Sequence, residues 1–298
     1  MILDTALIFV TRLGSSFVEA VPFLLLGALA SGLIDVLLVR DEMADILPRN
    51  GLVVTLLGVA AGMALPVGGI GAALVARRLM SKGLPASAGI AFLLAAPLLN
   101  PIAIAATIAA YGTGPIAITR IALGVAIPLV VGLIFALNGE GDGLLRAPDD
   151  QQGSVNQPMI EGQRWHTRAL RAAGDEFFEL GPYLAAGALL SAVAQTMMPR
   201  AALASVGAGP VISVAALSLL GFVQSNGAPL DALASLALRA GFTSGSIIAF
   251  LVFGSIADIR RLPILAHVLT GKAVAYLVVI TLLLTILAAV IVNLWLSW

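Results

Sequence analysis

Apolar runs of about twenty residues recur along this chain, and they constrain its fold more than any other feature. A helix needs roughly 20 apolar residues to cross a hydrocarbon core of ~30 Å. Only α-helices and closed barrels can cross, because lipid offers backbone amides and carbonyls no partner. A barrel is disfavoured: its strands would alternate over about 10 residues, whereas these runs are long and continuous. Composition agrees. Hydrophobic residues make up 60% of the chain and charged ones 11%, against roughly a quarter charged in soluble domains. The 298 residues leave room for about eight spans with short loops. The expected class is an all-α polytopic membrane protein of about 8–10 membrane segments, multi-pass in the inner cell membrane.

Several functions are excluded early. The 16 basic and 16 acidic residues cancel, so there is no electrostatic footprint for nucleic acid. Cysteine is absent, which removes disulfides, thiolate metal sites and a cysteine nucleophile. Two histidines, His166 and His267, do not suit a multi-histidine metal centre, and no cofactor is expected. There is no Gly-x-x-x-x-Gly-Lys-Ser/Thr loop for nucleotide phosphates and no His-Glu-x-x-His zinc motif. Gly-Phe-Thr-Ser-Gly at 241–245 is no convincing nucleophile turn. The chain is not expected to be an enzyme. Residues 1–12 carry Asp4 and lack a basic n-region and a small-residue cleavage pattern, so they read as the start of a first membrane segment or a surface stretch, not a signal peptide.

The runs fall into two blocks. In the first, expected spans cover about 17–39, a run from Leu52 interrupted at Pro66–Gly71, about 85–110 and about 115–137. Residues 138–165 are rich in Gly, Asp, Gln and Pro and cannot bury a core. The second block has spans near 177–198 and 210–223, an interruption at Gln224–Pro229, a span at 244–257 and a long last segment from about 262 to 298. Trp295 and Trp298 suit a membrane–water interface. The expected division is a first transmembrane repeat at 1–137, a soluble, cytoplasmic linker at 138–170 and a second repeat at 171–298.

The blocks resemble each other. At an offset of 160, Phe17, Glu19, Pro22, Gly27, Ala28, Leu29 and Ser31 match Phe177, Glu179, Pro182, Gly187, Ala188, Leu189 and Ser191. At an offset of 158, Gly69, Ala76, Gly83 and Ile90–Leu93 match Gly227, Ala234, Gly241 and Ile248–Leu251, and Asn100 falls opposite Asp258. Glutamate and proline are uncommon inside spans, so the Glu-x-x-Pro pair is the informative match. Two such halves fit the repeats of secondary transporters, whose sites form at interrupted helices. The interruptions at Pro66–Gly71 and Gln224–Pro229 also correspond. Broken backbone persists in a membrane where protein, water or substrate supplies its partners, so the two breaks are expected to meet near mid-membrane. Arg77, Arg78 and Lys82 follow the first break, whereas Arg260-Arg261 occupy a non-equivalent place in the second half. With all of these on the cytoplasmic face, the halves would be inverted. Parallel halves with unequal loops are the alternative.

The stretch from Gly68-x-Ile70 to Ala91-Phe92-Leu93-Leu94-Ala95-Ala96-Pro97-Leu98-Leu99-Asn100-Pro101 resembles the predicted-permease family that includes the organoarsenical efflux and YraQ-type permeases. There the break reads roughly Cys-Ser-Cys-Gly-x-Ile-Pro and is followed by Ala-Phe-Leu-x-Ala-x-Pro-x-x-Asn-Pro. Ala249–Asp258 occupies the place of the corresponding second-half string. The resemblance covers nearly the whole chain and implies a permease. Leu65 and Val67 stand where the family has cysteines and Gly71 where it has proline, so thiolate capture of a soft metal or trivalent arsenical is not available here.

Candidate residues follow from these features, each with a structural alternative. Gln224, Ser225 and Asn226 form a neutral polar trio suited to substrate contact or to satisfying broken backbone. Gly68 and Gly69 permit close backbone approach and offer amides at a half-helix N-terminus, which favours an anion or a polar oxygen. Asn100 could bind substrate or cap backbone freed by Pro97 and Pro101. Asp258 is an intramembrane carboxylate facing a cavity or an interfacial residue beside Arg260-Arg261. Glu19 and Glu179 complement a helix dipole or, with Asp231, carry protons for coupling. The leading expectation is a secondary transporter that moves a small molecule or ion across the lipid bilayer, with a homo-oligomer left open. The alternatives are an organoarsenical efflux permease and a non-transporting membrane subunit of a larger complex.

Overall fold

In a computed structural model, residues 2–38, 47–137, 144–146, 164–197, 209–224 and 226–295 are described. Among them all regular structure is helical, apart from one isolated bridge between Leu145 and Leu269. Five helical stretches are long and apolar enough to span a membrane, and shorter apolar helices lie between them.

The longest elements are α1 (Ile2–Leu37) and α7 (Trp165–Met197), of 36 and 33 residues. At 1.5 Å per residue each is about 50 Å long, well beyond the hydrocarbon core. They run antiparallel. Arg12 Nη1 donates to Gln195 Oε1 at 3.0 Å near one end, and Ser31 Oγ donates to Glu176 Oε1 at 2.8 Å near the other.

A helical hairpin follows α1. Asn50 opens α2 (Gly51–Ala64) by accepting from the amides of Leu52 and Val53 at 3.0 and 3.4 Å. Residues 65–67 are non-helical, and α3 (Gly68–Ser81) turns back. The direction is set by contacts to α4 (Ala86–Leu99). Gly58 and Gly62 of α2 lie against Ala88 and Ala95, so α2 and α4 run the same way, while Met80 at the end of α3 lies against Gly89 near the start of α4. Each arm of the hairpin has 14 residues, about 21 Å at 1.5 Å each. Beyond α4 the chain bends at Asn100 into α5 (Pro101–Tyr111). It then returns as α6 (Pro115–Leu137), antiparallel to α4, with Gly124 against Leu99 and Gly132 against Ser87.

The same succession recurs after α7. A second hairpin comprises α8 (Ile212–Gln224) and α9 (Ala228–Ala234), the latter extended by a 3₁₀ turn over Ser235–Leu238. Next come α10 (Ser244–Ile256), α11 (Leu262–Val268) and α12 (Gly271–Trp295). Ser213 Oγ lies 2.6 Å from Ser246 Oγ, and Gly221 lies against Gly254, so α8 runs with α10 as α2 runs with α4. Asn293, near the end of α12, accepts from the Gly245 amide at 2.8 Å.

The centre is built on α4 and α10. Both are apolar on every side and almost wholly buried, as expected of a helix with no polar stripe. Lipid gives helices no hydrophobic reason to associate, so close approach depends on small residues. Gly27 of α1 rests on Gly71 of α3, and Gly187, its match at offset 160, rests on the carbonyl of Arg260. Any Cβ at Gly27 would collide with the Gly71 backbone. Gly27→Val is expected to cost about 1–3 kcal/mol or more by overpacking, read as a lower melting temperature in detergent. A melt equal to wild type would show that α1 and α3 do not pack this way.

Several segments differ from the sequence reading. The breaks are narrower than expected, because the runs from Gly68 and from Ala228 are already helical. The segment at 85–110 is split at Asn100, and the last segment is split at Leu269-Thr270. The linker is not wholly solvated: Leu144 is buried, Thr270 N donates to Leu144 O at 2.9 Å, and Arg146 N donates to Val268 O at 3.0 Å.

Candidate functional site

The two hairpin tips meet the C-terminal ends of α4 and α10 around one cavity. Gly68, Gly69 and Ile70 come from the first tip and Gly227, Ala228 and Pro229 from the second. Pro97 and Asn100 close the α4 end, Gly254, Ser255 and Asp258 the α10 end, and Glu19, Ala20 and Phe23 contribute from α1. Arg260 and Arg261, in the turn between α10 and α11, complete the wall. The cavity holds ≈ 40 Å³, room for roughly two to four waters at ~10–15 Å³ each. Glycine is required at both tips. Gly68 and Gly227 have φ of 62° and 76°, and a Cβ at Gly227 would strike Glu19 Oε1.

Charge here is buried and mostly paired. Arg260, 2% exposed, donates through Nη1 to Glu19 Oε2 at 3.0 Å and through Nη2 to Oε1 at 3.4 Å. This fork ties α1 to the α10–α11 turn. Asp258 Oδ1 accepts the Arg261 amide at 2.9 Å and stabilises the same turn. Arg261 Nη1 donates to the carbonyls of Ser255 and Ile256 at 3.0 and 2.6 Å, while Nε and Nη2 are buried without a partner. Asn100 Oδ1 accepts from Ile102 N at 2.9 Å and caps α5. Behind the second tip, Arg120 of α6 donates to Thr107 Oγ1 at 2.5 Å, Ser255 Oγ at 3.2 Å and the Ala228 carbonyl at 3.3 Å. Arg120 thus ties the first residue of α9, at the second tip, to α6 and α10.

Of the residues singled out from sequence, Gly68, Gly69, Asn100, Asp258 and Glu19 converge on the cavity. Gln224 and Asn226 do not line it. The Gln224 carbonyl accepts from Gln195 Nε2 at 2.8 Å, and Asn226 N donates to Asp231 Oδ1 at 3.3 Å. Ser225 lies outside the described residues. Asp231 is buried behind the tip with Oδ2 unpartnered. Glu179 lies elsewhere, held by Arg77 at 2.6 and 3.1 Å and by His267 Nε2 at 2.8 Å. The cytoplasmic placement expected for Arg260 and Arg261 is corrected: both are buried in the centre, because the chain continues into α11 rather than into a loop. Sequence reasoning also passed over Arg120. An arginine inside the apolar run of α6 is itself a signal, since intramembrane charge is expensive and marks function.

A second polar cluster lies where α1, α3, α7 and α11 meet. Asp35 is bonded by Arg78 at 3.3 Å, Lys82 at 3.0 Å and Arg168 at 3.4 Å, and Arg78 also bonds Glu176. The Tyr183 and His267 rings lie 4.2 Å apart, and His267 Nε2 is 2.8 Å from Glu179 Oε1. It joins elements from both blocks of the chain.

A model of a predicted permease family (ArsP_1) matches residues 6–294. The chain is 34% identical over 273 residues to the UPF0718 protein YcgR of Bacillus subtilis, covering 90% of this chain and 92% of that protein. It is 28% identical over 280 residues to a Streptococcus mutans protein described as a putative two-component membrane permease complex subunit, covering 94% of this chain and 93% of the other. No solved structure matches.

Proposed function

The chain belongs to the predicted permease family, and from that premise we propose that it is a secondary transporter moving a small solute through the cavity between its two hairpin tips. One observation carries this reading. Both breaks, one from each half, reach a single cavity that holds buried charge and an arginine edge without a partner. Discontinuous helices meeting around a polar site are the transporter arrangement.

An inverted duplication supports it. Glu19 and Glu179 are sequence matches, yet the helices that carry them run antiparallel. A two-fold axis in the membrane plane does that, and one along the normal does not. Each half would cross an odd number of times: α1, the α4–α5 pair and α6 in the first, and α7, the α10–α11 pair and α12 in the second. The hairpins would enter from opposite faces. Arg77, Arg78 and Lys82 near the open end of the first hairpin support a cytoplasmic position for that end by the positive-inside tendency, and with it an inner-membrane location. The second cluster would then be a cytoplasmic closure between the halves.

The chain has no native cysteine, so topology is directly testable. Single cysteines at Pro85 and Arg239, both exposed in turns of opposite halves, are expected to react with an impermeant thiol reagent from opposite sides of the membrane. Reaction of both from one side would reject inversion. Transport is tested by screening a deletion strain against metals, metalloids and small anions, then measuring gradient-driven flux of the responsive solute in liposomes holding the purified chain. The S. mutans relative's description favours a second reading, a permease subunit that needs a partner. Flux only after a partner is added would select it.

A further inference from the structure

We infer that the central cavity binds a small oxyanion such as inorganic phosphate, held by the free edge of the Arg261 guanidinium and the first amides of α3. The inference rests on the proposed transport site and names its ligand class.

Arg261 carries the point. The side chain is 2% exposed and lines the cavity. Its Nη1 is spent on two carbonyls, while Nε and Nη2 have no partner. These two nitrogens are not a random remainder. Covalent geometry places their N–H bonds side by side on one edge of the planar group, the edge that receives two oxygens of a carboxylate or phosphate at once. A buried donor pair without an acceptor is costly, and the nearby carboxylates do not answer it. Both Glu19 oxygens accept from Arg260, and Asp258 Oδ1 accepts the Arg261 backbone amide.

The helix terminus adds independent donors. The guanidinium lies against the Cα of Gly69, where a Cβ would come within 2.8 Å of Arg261 Cζ. The guanidinium therefore packs through Cζ, Nε and Nη1 on the first turn of α3, a 14-residue helix whose N-cap, Val67, supplies no side-chain hydrogen bond. Its leading amides are the orphan donors on which helix N-termini bind anions. Asn100 Nδ2 has no partner among the described residues and lines the same space.

The lining side chains Glu19, Asp258, Arg260 and Arg261 sum to no net charge, so recognition here would come from directed donors. The second oxygen of Asp258 receives no hydrogen bond among the described residues. It suits a proton on the ligand, so a hydrogen-bearing oxyanion fits better than sulfate. With room for only a few waters, the site suits a ligand of a few heavy atoms.

The test is equilibrium binding of radiolabelled inorganic phosphate to the full-length chain in lipid nanodiscs at fixed ionic strength. Wild type is expected to bind saturably, with sulfate competing more weakly. Arg261→Lys keeps the charge and removes the fork, and should weaken binding about tenfold or more with an unchanged melting profile. If that variant does not fold, Gly69→Ala, which displaces the guanidinium, should do the same. No saturable phosphate binding by wild type, sulfate binding as tight as phosphate, or a folded variant that binds like wild type would overturn the inference. The transport reading fails separately. Phosphate binding with no flux of any solute, alone or with a partner, would leave the anion site and remove the transporter, whereas flux of another solute without phosphate binding would do the reverse.

Discussion

Glu19→Gln is expected to destabilise the protein by about 3–5 kcal/mol, the cost of stranding a buried charge by removing its partner. Arg260 is 2% exposed, and Glu19 receives both arms of its fork. A glutamine offers one carbonyl where two carboxylate oxygens stood, and it removes the charge that both arms of the fork engage. The expected readout is a large fall in melting temperature and in the amount of folded protein. The double variant Glu19→Gln/Arg260→Gln removes the stranded charge and should recover most of the loss. Such recovery would mark the pair as a tie between α1 and the α10–α11 turn. If Glu19→Gln melts like wild type, the ion pair contributes little, and Glu19 returns to being a candidate proton carrier.

Much of this centre was legible in the sequence, for physical reasons that can be named. The runs at 86–99 and 244–256 have no polar stripe, which already identifies helices surrounded by protein or lipid. Pro66, just before α3, and Gly227, just before Pro229 in the first turn of α9, mark where the helices are interrupted, and those are the places where the tips turn. Asn100 before Pro101 reads as a cap, and a cap it is. The failures also have a common cause. Arg260-Arg261 after an apolar run has the same local pattern as a cytoplasmic loop, and only the packing of α11 turns it into a buried wall. Gln224 and Asn226 read as site residues because polar residues at a break are expected to face the site. Which way they face depends on how the α8–α9 hairpin is rotated against α7, and Gln195 on α7 decides that by taking the Gln224 carbonyl. Pattern along the chain locates a break. It does not locate the partner that fills it.

Asp231→Asn should abolish gradient-driven transport to background while leaving exchange of substrate across the membrane within about twofold. Three carboxylates were candidates for coupling, and the structure separates their surroundings. Glu19 is forked to Arg260, and Glu179 is held by Arg77 and His267. Asp231 is buried, takes one long hydrogen bond from the Asn226 amide at 3.3 Å, and has its second oxygen unpartnered. It sits on α9 next to the second tip, whose Ala228 carbonyl is held by Arg120. Movement of that tip would therefore change the polarity around Asp231, and a carboxylate whose surroundings alternate is what a proton-coupled cycle requires. Asparagine keeps the shape and the acceptor for Asn226 N but cannot release a proton. Exchange needs no net proton movement, so it should survive. Loss of exchange together with uphill transport, in a variant that folds normally, would assign Asp231 to holding the tip. Full uphill transport in Asp231→Asn would move coupling to another group or another ion.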